Sequence, residues 1–238
     1  MGEPIALQKA YWTEWNAANR ERGLSEISQD QRDLTLAWLE RLGRKDLNII
    51  EVGCGAGWLC PALEAFGQVT ATDLSEEVLE RAQKRVPGVR FVPGDFMALD
   101  FPDEGFDVVV TLEMLAHIAD QPAFVAKLAR LLRTNGALIL ATQNRPVLER
   151  MNDVAPTEPG QLRRWVDRDE LTALLTPHFE IDEIRCMTPI AGKGLWRLVA
   201  GRIVRGVIRR LIGRVYDRSL ERLGLGWTLM VLARKRGG

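Results

Sequence analysis

The sequence predicts an α/β protein of the doubly wound type, in which helices cover both faces of a mostly parallel, seven-stranded sheet. First, short apolar segments alternate along the chain with segments of helical period. Second, the apolar segments are continuous, as in Val108, Val109 and Val110, which is typical of strands buried on both faces. Third, a glycine-rich turn follows the first strand. Because ligands of open parallel sheets bind beyond the carboxyl ends of the strands, the residues after each strand are the first candidates for function.

Each element has its own signal in the sequence. The second helix carries Leu34, Trp38 and Leu42 on one stripe. Ser75 is the expected N-cap of a helix with an acidic first turn. Residues 144–166 hold three prolines and few periodic apolar positions, which predicts an elaborated loop. The predicted helices are 7–21, 28–42, 57–66, 75–86, 122–132 and 167–175, and the predicted strands are 48–52, 69–72, 89–92, 106–111, 137–142, 179–185 and 227–232.

Length and composition exclude several protein classes. The 238 residues suit one large domain, and with 46% hydrophobic and 27% charged residues the chain is neither disordered, nor collagenous, nor a coiled coil. Three cysteines are too few for a disulfide framework, so we expect a reducing compartment, the cytoplasm. The first nine residues contain no apolar signal-peptide core, and no uncharged run reaches the length of a membrane span.

The net charge of zero hides an asymmetry. Residues 1–192 hold 20 Lys and Arg against 30 Asp and Glu, whereas residues 193–238 hold 12 against 2. Residues 193–224 predict a basic helical insertion before the last strand, made of two short amphipathic helices or of one helix kinked near Gly206. We interpret it as a cap that packs its apolar face on the domain. The alternative is peripheral contact of residues 195–218 with a membrane or an anionic lipid, and no nucleic-acid partner is expected.

A glycine-rich loop follows the first strand, and it predicts a ligand with a cationic end. Glycines at alternate positions let the backbone turn tightly and let a ligand approach it closely. The third glycine comes one residue too early for the dinucleotide pattern. A carboxylate before the first glycine is a poor neighbour for a pyrophosphate but suits an amino group with a positive charge. The candidate binding residues of this loop are Glu51, Gly53, Cys54, Gly55 and Gly57.

Two further acids follow the second and third strands. Asp73 lies at the end of the second strand, where an acid accepts hydrogen bonds from two ribose hydroxyls. Asp95 follows the third strand, where it can accept from the exocyclic amine of adenine, and Phe96 or Leu74 can flank the ring. The loop and the two acids together predict an adenosyl ligand.

The glycine loop, the two acids and the segments that follow them occur over residues 48–143 in the same order as the motifs of one known family. In this region the sequence resembles the class I S-adenosylmethionine-dependent methyltransferases. A looser similarity to O-methyltransferases of the ubiquinone-biosynthesis type and of glycan and natural-product pathways is carried by residues 141–145 and 162–171. The family usually has a proline and two glycines where this chain has Arg133 to Gly136, a difference confined to a turn. The matching segments are EVGCGAGW, ATDLS, GDF, FDVVV, LEMLAHI and LLRTNGALILAT.

The resemblance implies a Rossmann-like methyltransferase domain over residues 46–238 that binds S-adenosylmethionine, releases S-adenosylhomocysteine and needs no metal. It implies that the glycine loop shapes the pocket for the methionine end of the cofactor and that Asp73 holds the ribose. Asp95 and Phe96 would hold the adenine, and we expect Glu113 beside the cofactor as well.

The expected reaction is methylation of an oxygen on a small-molecule, lipid-linked or glycan-linked acceptor. His117 is the candidate general base, with Glu113 one helical turn before it as a second catalytic candidate. A histidine that only packs its helix is the alternative. N- or C-methylation, and binding of a membrane surface or an anionic partner on a methyltransferase scaffold, also stay open.

Acceptor-binding residues are expected near the amino terminus and after the fifth strand. Residues 1–45 predict helices that either form a lid over the methyl pocket or are stapled to the domain by their aromatic side chains. The candidate acceptor-binding residues are Tyr11, Trp12, Asn144, Arg145 and Trp165.

Overall fold

A computed structural model describes residues 5–19, 21 and 23–237. Two helices precede the sheet, and strands and helices then alternate up to a helical segment before the last strand. The strands are β1 (Leu47–Val52), β2 (Gly67–Asp73), β3 (Arg90–Pro93), β4 (Phe106–Leu112), β5 (Leu132–Gln143), β6 (Phe179–Pro189) and β7 (Gly226–Lys235). The helices are α1 (Ile5–Ala18), α2 (Glu26–Leu42), α3 (Cys60–Leu63), α4 (Glu76–Arg85), α5 (Gln121–Leu131), α6 (Arg145–Met151), α7 (Arg168–Leu175), α8 (Arg197–Ala200), α9 (Arg202–Ile212) and α10 (Val215–Arg222).

The strands form one sheet in the order β3-β2-β1-β4-β5-β7-β6. Strands β1 to β5 pair in parallel, and β7 pairs antiparallel with both β5 and β6. The predicted mostly parallel, doubly wound sheet is therefore confirmed. The strand order reverses between β1 and β4, the position at which a crevice opens beyond the strand ends in folds of this type.

Each face of the sheet has its own apolar core. Ile50 and Phe124 belong to one core, whereas Ile49 and Trp38 belong to the other. All four side chains are buried, and the burial of one such side chain contributes about 1.5–3 kcal/mol. Helices on both faces explain why the strands are continuous apolar runs in the sequence.

Local signals predict most of the elements, with several differences in their bounds. Ser75 is the N-cap of α4, as expected. The predicted helix 57–66 is shorter, because α3 begins only at Cys60 after a turn. The predicted loop 144–166 contains α6, whose Pro146 lies in the first turn of the helix, where the N–H that proline lacks has no partner within the helix. Helix α1 ends at Ala18, three residues before the end of the predicted helix 7–21. Residue 20 of that predicted helix and residues 1–4 lie outside the described residues.

The helical insertion is present, but it is interrupted at other positions than predicted. Helix α9 runs through Gly206 without a break, and the breaks lie at Gly201 and Gly213. Gly213 has a φ of 63°, which glycine adopts without the steric penalty of a side chain. No helix in the described part of the chain is both long and apolar enough to cross a lipid bilayer.

The orientation of the insertion also differs from the cap interpretation. A small core that includes Val147 and Leu220 joins the insertion to α6. The main apolar stripe of α9 nevertheless points away from the domain, since Ile203 is 83% exposed while Arg205 is buried. The physical reason is an ion pair between Arg205 and the buried carboxylate of Asp217, which holds the charged face of α9 inward.

Candidate active site

A cavity of about 600 Å³ opens beyond the carboxyl ends of the parallel strands. Its size suits a small organic ligand. It is lined by α1, the glycine loop, the residues that follow β2, β3 and β4, and the segment between α6 and α7. The cavity therefore lies where the topology predicts a ligand site.

The glycine loop is held against the end of β2 by backbone hydrogen bonds. The N–H groups of Gly53 and Cys54 both donate to the carbonyl oxygen of Thr72, over 2.8 and 3.0 Å. Gly53 and Gly55 have φ angles of 75° and 54°, which few residues with side chains adopt. Both glycines and Cys54 line the cavity, so the bare backbone of the loop is accessible to a ligand.

Asp73 joins this loop to the start of α4. One carboxylate oxygen accepts a hydrogen bond from the N–H of Gly55 over 2.8 Å, and the other accepts from the N–H of Ser75 over 3.1 Å. Burial raises the pKa of Asp73, and these backbone hydrogen bonds oppose the rise. Each carboxylate oxygen has further acceptor capacity, so Asp73 can also receive hydroxyl donors from a ligand in the cavity.

Asp95, Phe96 and Leu74 also line the cavity, as the sequence predicts for an adenine site. The carboxylate of Asp95 accepts from the N–H of Met97 over 2.9 Å, which orders the turn after β3. Phe96 is 2% exposed and packs edge-on against Phe124 with ring centroids 5.5 Å apart. The ring of Phe96 is therefore both a wall of the cavity and part of the domain core.

Glu51 and Gly57 do not line the cavity, in contrast to the sequence-based expectation. Glu51 lies on the same face of β1 as Ile49, where the thiol of Cys60 donates to its carboxyl over 3.1 Å. Burial raises the pKa of Glu51 to about 8, although the hydrogen bond from Cys60 opposes the rise. A Cβ atom at Gly57 would lie 3.2 Å from the ring of Phe91, so this glycine allows the loop to pack on the helix and sheet behind it.

Glu113 lines the cavity at the end of β4, as expected. Its φ of 64° is unusual for a residue with a side chain and is held by the surrounding structure. One carboxylate oxygen accepts hydrogen bonds from the side-chain amide of Gln31 in α2 and, over 3.1 Å, from the hydroxyl of Thr228 in β7. Two parts of the chain that are distant in sequence, α2 and β7, therefore fix this carboxylate.

His117 lines the same cavity, and its environment keeps it neutral. Its Nδ1 atom donates to the carbonyl oxygen of Leu162 over 2.7 Å, and the ring of Trp12 lies 4.5 Å from the imidazole. Burial lowers the pKa of His117 to about 4, and the Leu162 carbonyl opposes this shift. The other nitrogen, Nε2, is then a hydrogen-bond acceptor.

The amino-terminal helix contributes a cavity residue that was not among the predicted ones. Asn16 in α1 is 3% exposed, lines the cavity and faces the glycine loop. Its Oδ1 atom has no hydrogen-bond partner among the described residues, although a buried amide oxygen normally has one. The spacing of Trp12 and Asn16, one helical turn apart, is the signal that could have placed both on the cavity face.

The structure separates the five predicted acceptor-binding residues. Trp12 and Trp165 line the cavity. Tyr11 does not, and its hydroxyl accepts from the side-chain amide of Gln161 over 2.9 Å. Asn144 lies outside the cavity and donates to the carbonyl oxygen of Gly226 in β7 over 2.9 Å.

Arg145 likewise lies outside the cavity. Its guanidinium is paired with Asp167 and Glu170 at the start of α7 over 2.5 and 2.7 Å. Both acids belong to the capping box of α7, which draws the arginine toward that helix. Arg145 therefore joins α6 to the start of α7 and does not face the cavity.

The residues of the cavity fit S-adenosylmethionine. Asp73 and Asp95 offer carboxylate oxygens for the ribose hydroxyls and the adenine amine, and the bare loop leaves room for the methionine end. The unpaired Oδ1 atom of Asn16 supplies an acceptor beside that loop, which suits a donor such as the amino group of the cofactor. The described residues contain no group of three or more His, Cys, Asp or Glu side chains that could hold a metal ion.

Comparisons with known proteins agree with this fit. Residues 50–140 match the family described as "Methyltransferase domain". "Ubiquinone biosynthesis O-methyltransferase" of Xanthomonas oryzae pv. oryzae is 33% identical over 139 residues, which cover 55% of this chain and 56% of that protein. A Mycobacterium tuberculosis protein named "Probable S-adenosylmethionine-dependent methyltransferase" is 33% identical over 140 residues, which cover 58% of this chain and 50% of that protein. The chain thus spans about half the length of the first curated relatives it matches.

Solved structures share the fold at low sequence identity. The N-methyltransferase NodS of Bradyrhizobium japonicum, in complex with S-adenosyl-L-homocysteine, matches this chain with a TM-score of 0.66 at 15% sequence identity. The match covers 97% of this chain and 100% of the NodS chain. An S-adenosylmethionine-dependent methyltransferase from Mesorhizobium loti matches with a TM-score of 0.61 at 20% sequence identity, and the match covers 83% of this chain and 96% of that chain. Residues 50–140 are thus similar to a methyltransferase domain, and the fold of the chain is similar to that of solved S-adenosylmethionine-dependent methyltransferases.

Proposed function

We propose that the protein transfers a methyl group from S-adenosylmethionine to an oxygen atom of a small-molecule, lipid-linked or glycan-linked acceptor. The observation that carries this proposal is the presence of the neutral imidazole of His117 in the same cavity as Asp73 and the glycine loop. The similarity to an O-methyltransferase from Xanthomonas oryzae supports the choice of oxygen. The free, buried cysteines support a reducing compartment such as the cytoplasm.

In this proposal the bound cofactor supplies a methyl group that its sulfonium makes electrophilic. Asp73 holds the ribose, Asp95 holds the adenine amine, and the glycine loop approaches the methionine end. Trp12 and Trp165 line the cavity and would shield the reacting atoms from water. These residues contribute mainly by alignment, because methyl transfer requires the acceptor atom in line with the breaking bond and shielded from solvent.

His117 would orient the acceptor hydroxyl. Donation from Nδ1 to the Leu162 carbonyl fixes the tautomer and leaves Nε2 to accept the hydroxyl proton. With a pKa of about 4, the imidazole is neutral at neutral pH but is a weak base. It therefore takes the proton only as positive charge develops on the oxygen during transfer.

The same low pKa favours a second candidate, methylation of an amine nitrogen or of an electron-rich carbon. An uncharged amine attacks without first losing a proton, so a weak base is no disadvantage. His117 would then orient an N–H group through Nε2. A third candidate, a protein that binds an anionic partner on this scaffold without catalysis, is tested by the same experiments.

The first test is calorimetry of the full chain with S-adenosylhomocysteine. We expect binding in the micromolar range, and the absence of binding to a folded sample would contradict the proposed cofactor. Labelled S-adenosylmethionine is then offered with paired acceptors that carry a hydroxyl or an amine on the same ring. Methylation of the hydroxyl partner is expected, methylation of the amine alone would favour the second candidate, and binding without any turnover would favour the third.

Substitution of His117 tests its role. Asparagine can keep the donor to the Leu162 carbonyl but has no group at the Nε2 position, so His117→Asn should lower kcat about 100-fold and leave S-adenosylhomocysteine affinity unchanged. His178→Asn is the matched control, because His178 is the second histidine and lies outside the cavity. A fully active His117→Asn enzyme on a hydroxyl acceptor would exclude the base.

A further inference from the structure

Helix α9 exposes its apolar face and buries its charged face. Ile203, Val207 and Leu211 follow one another at helical spacing and are 83%, 54% and 78% exposed. On the other side of the helix, Arg205 is 3% exposed and Arg209 faces the domain. This arrangement is the reverse of that of a helix that packs on a globular core.

Buried ion pairs hold the helix in this orientation. The guanidinium of Arg205 lies 2.8 Å from the carboxylate of Asp217 in α10 and 2.8 Å from that of Glu26 in α2. Burial raises the pKa of Asp217, but hydrogen bonds from Arg205 and Arg209 outweigh it and lower the pKa below its usual range. Rotation of α9 to bury its apolar face would leave these charges unpaired, so the outward stripe is a property of the native fold.

The stripe lies in a segment that is rich in exposed apolar residues. Nine of the thirteen exposed large hydrophobic residues in the described part of the chain lie between Leu195 and Leu223. Concentrations of this kind mark interaction sites, whereas scattered exposed hydrophobic residues do not. The nine residues, here called the apolar surface, are Leu195, Trp196, Leu198, Ile203, Val207, Leu211, Ile212, Val215 and Leu223.

Exposed basic side chains are interspersed in the sequence with the residues of the apolar surface. Arg202 and Arg210 flank the stripe on α9, and both are exposed. No acidic side chain of the described residues lies within ion-pair distance of them, whereas Arg205, Arg209 and Arg214 are all paired internally. The other exposed basic residues of the insertion without such a partner in the described chain are Lys193, Arg197, Arg218 and Arg222.

Apolar side chains that project between unpaired arginines match the chemistry of an anionic lipid surface. The apolar groups enter the boundary between headgroups and acyl chains, and the arginines bind the phosphates. We propose that the apolar surface docks the protein on anionic lipid bilayers. In a symmetric dimer, two copies of the apolar surface would bring their unpaired arginines together, so the charge favours an anionic lipid over a second copy of the same surface.

Docking would bring the bilayer close to the segments that form the cavity. Glu26, which pairs with Arg205, lies between Ser25 and Ile27, and both of these line the cavity. Val147 packs against the insertion, and the next residue, Leu148, lines the cavity. A lipid-linked acceptor would therefore be available near the site, although docking itself does not depend on catalysis.

The test is co-sedimentation of the full chain with vesicles of equal parts phosphatidylcholine and phosphatidylglycerol. We expect binding to these vesicles and at least tenfold weaker binding to vesicles of pure phosphatidylcholine. Ile203→Asp combined with Leu211→Asp should weaken binding about tenfold or more. Leu7→Asp combined with Leu24→Asp is the matched control, since both leucines are exposed outside the insertion and neither lines the cavity.

A second pair of variants tests the charges. Arg202→Gln with Arg210→Gln should weaken binding about tenfold and reduce its dependence on salt, whereas Lys84→Gln with Arg90→Gln should change neither. Circular dichroism and the melting temperature should be unchanged, because all these side chains are exposed. Equal binding by the aspartate and control variants would overturn the proposal. The proposal would also be overturned if the protein bound no vesicles and instead formed a dimer that Ile203→Asp combined with Leu211→Asp dissociates.

Discussion

The Nδ1 atom of His117 lies 2.7 Å from the carbonyl oxygen of Leu162, a residue 45 positions later in the chain. This contact ties the turn after β4 to the segment that precedes α7, and both line the cavity. It also fixes the tautomer of the imidazole, so that one nitrogen serves the structure and the other can serve a ligand.

The first prediction concerns the titration of His117. In the folded protein it should titrate near pH 4, because burial disfavours the charged imidazole. Trp12→Ala admits water to the ring and should move this pKa toward its ordinary value of 6.5. The measurement is an NMR titration, in which His178 supplies the other histidine signal. An unchanged His117 titration in the Trp12→Ala variant would mean that Trp12 does not cause the burial.

The second prediction concerns Asp73 and the ribose. Asp73→Ala should weaken S-adenosylhomocysteine binding by roughly 1–3 kcal/mol, since buried hydrogen bonds to a ligand are lost. Because Asp73 also holds the N–H of Gly55, a purely structural loss must be separated from a contact with the ribose. A 2′,3′-dideoxy analogue should therefore lose much less affinity on the same substitution. Equal losses for both ligands would contradict ribose recognition, and Asp33→Ala on the surface of α2 is the control.

The third prediction concerns the contact between α1 and the glycine loop. A Cβ atom at Gly55 would lie 2.7 Å from Oδ1 of Asn16, so Gly55→Ala combines an unfavourable φ with a steric clash. It should lower the free energy of unfolding by roughly 1–3 kcal/mol more than Gly43→Ala. Gly43 has a similar φ of 67°, but a Cβ atom at this position would meet no other atom within 4 Å, which makes it the matched control.

Asn16→Ala should rescue Gly55→Ala if α1 lies over the loop as described. Urea unfolding of the four variants measures the coupling between the two positions. Additive effects would show that the helix does not contact the loop in solution.

The fourth prediction concerns the pH dependence of stability through Glu51. Its pKa is about 8 in the fold and near 4.5 when unfolded, so the folded protein binds more protons between these values. The contribution of Glu51 to stability is therefore present at low pH and is lost as the pH rises from about 4.5 to 8. Glu51→Gln should be more stable than the unsubstituted protein at pH 9 by up to about 5 kcal/mol, and little different at pH 4.5.

Glu183 provides a control of opposite sign. Burial raises its pKa, but hydrogen bonds from Arg41 and Arg185 outweigh this and lower it below the ordinary value. Glu183→Gln should therefore reduce stability at neutral and high pH, as measured by urea unfolding. If the free energies of unfolding of Glu51→Gln and Glu183→Gln depended on pH in the same way, the burial of Glu51 and the ion pairs of Glu183 would be contradicted.

Much of the fold and part of the site followed from local patterns. The continuous apolar strands predicted a sheet covered on both faces, and the end of each parallel strand then had to lie at one edge. Gly53, Gly55, Asp73, Asp95 and Glu113 therefore line one cavity, although they are distant in the sequence. Apolar strands and the residues at their ends can be recognised in the sequence because these patterns depend only on a residue and its near neighbours in the chain.

Tertiary packing decided the rest. Glu51 does not line the cavity because its side chain is buried beside Cys60, and Asn16 joins the site because α1 lies over the glycine loop. The basic insertion illustrates this most clearly. From helical spacing its apolar residues were expected to pack inward. Arg205 instead pairs with Glu26, which lies 179 positions earlier in the chain, and this pairing turns the apolar side of the helix outward. Periodicity determines that a helix has two faces, whereas only its partners in space determine which of them is buried.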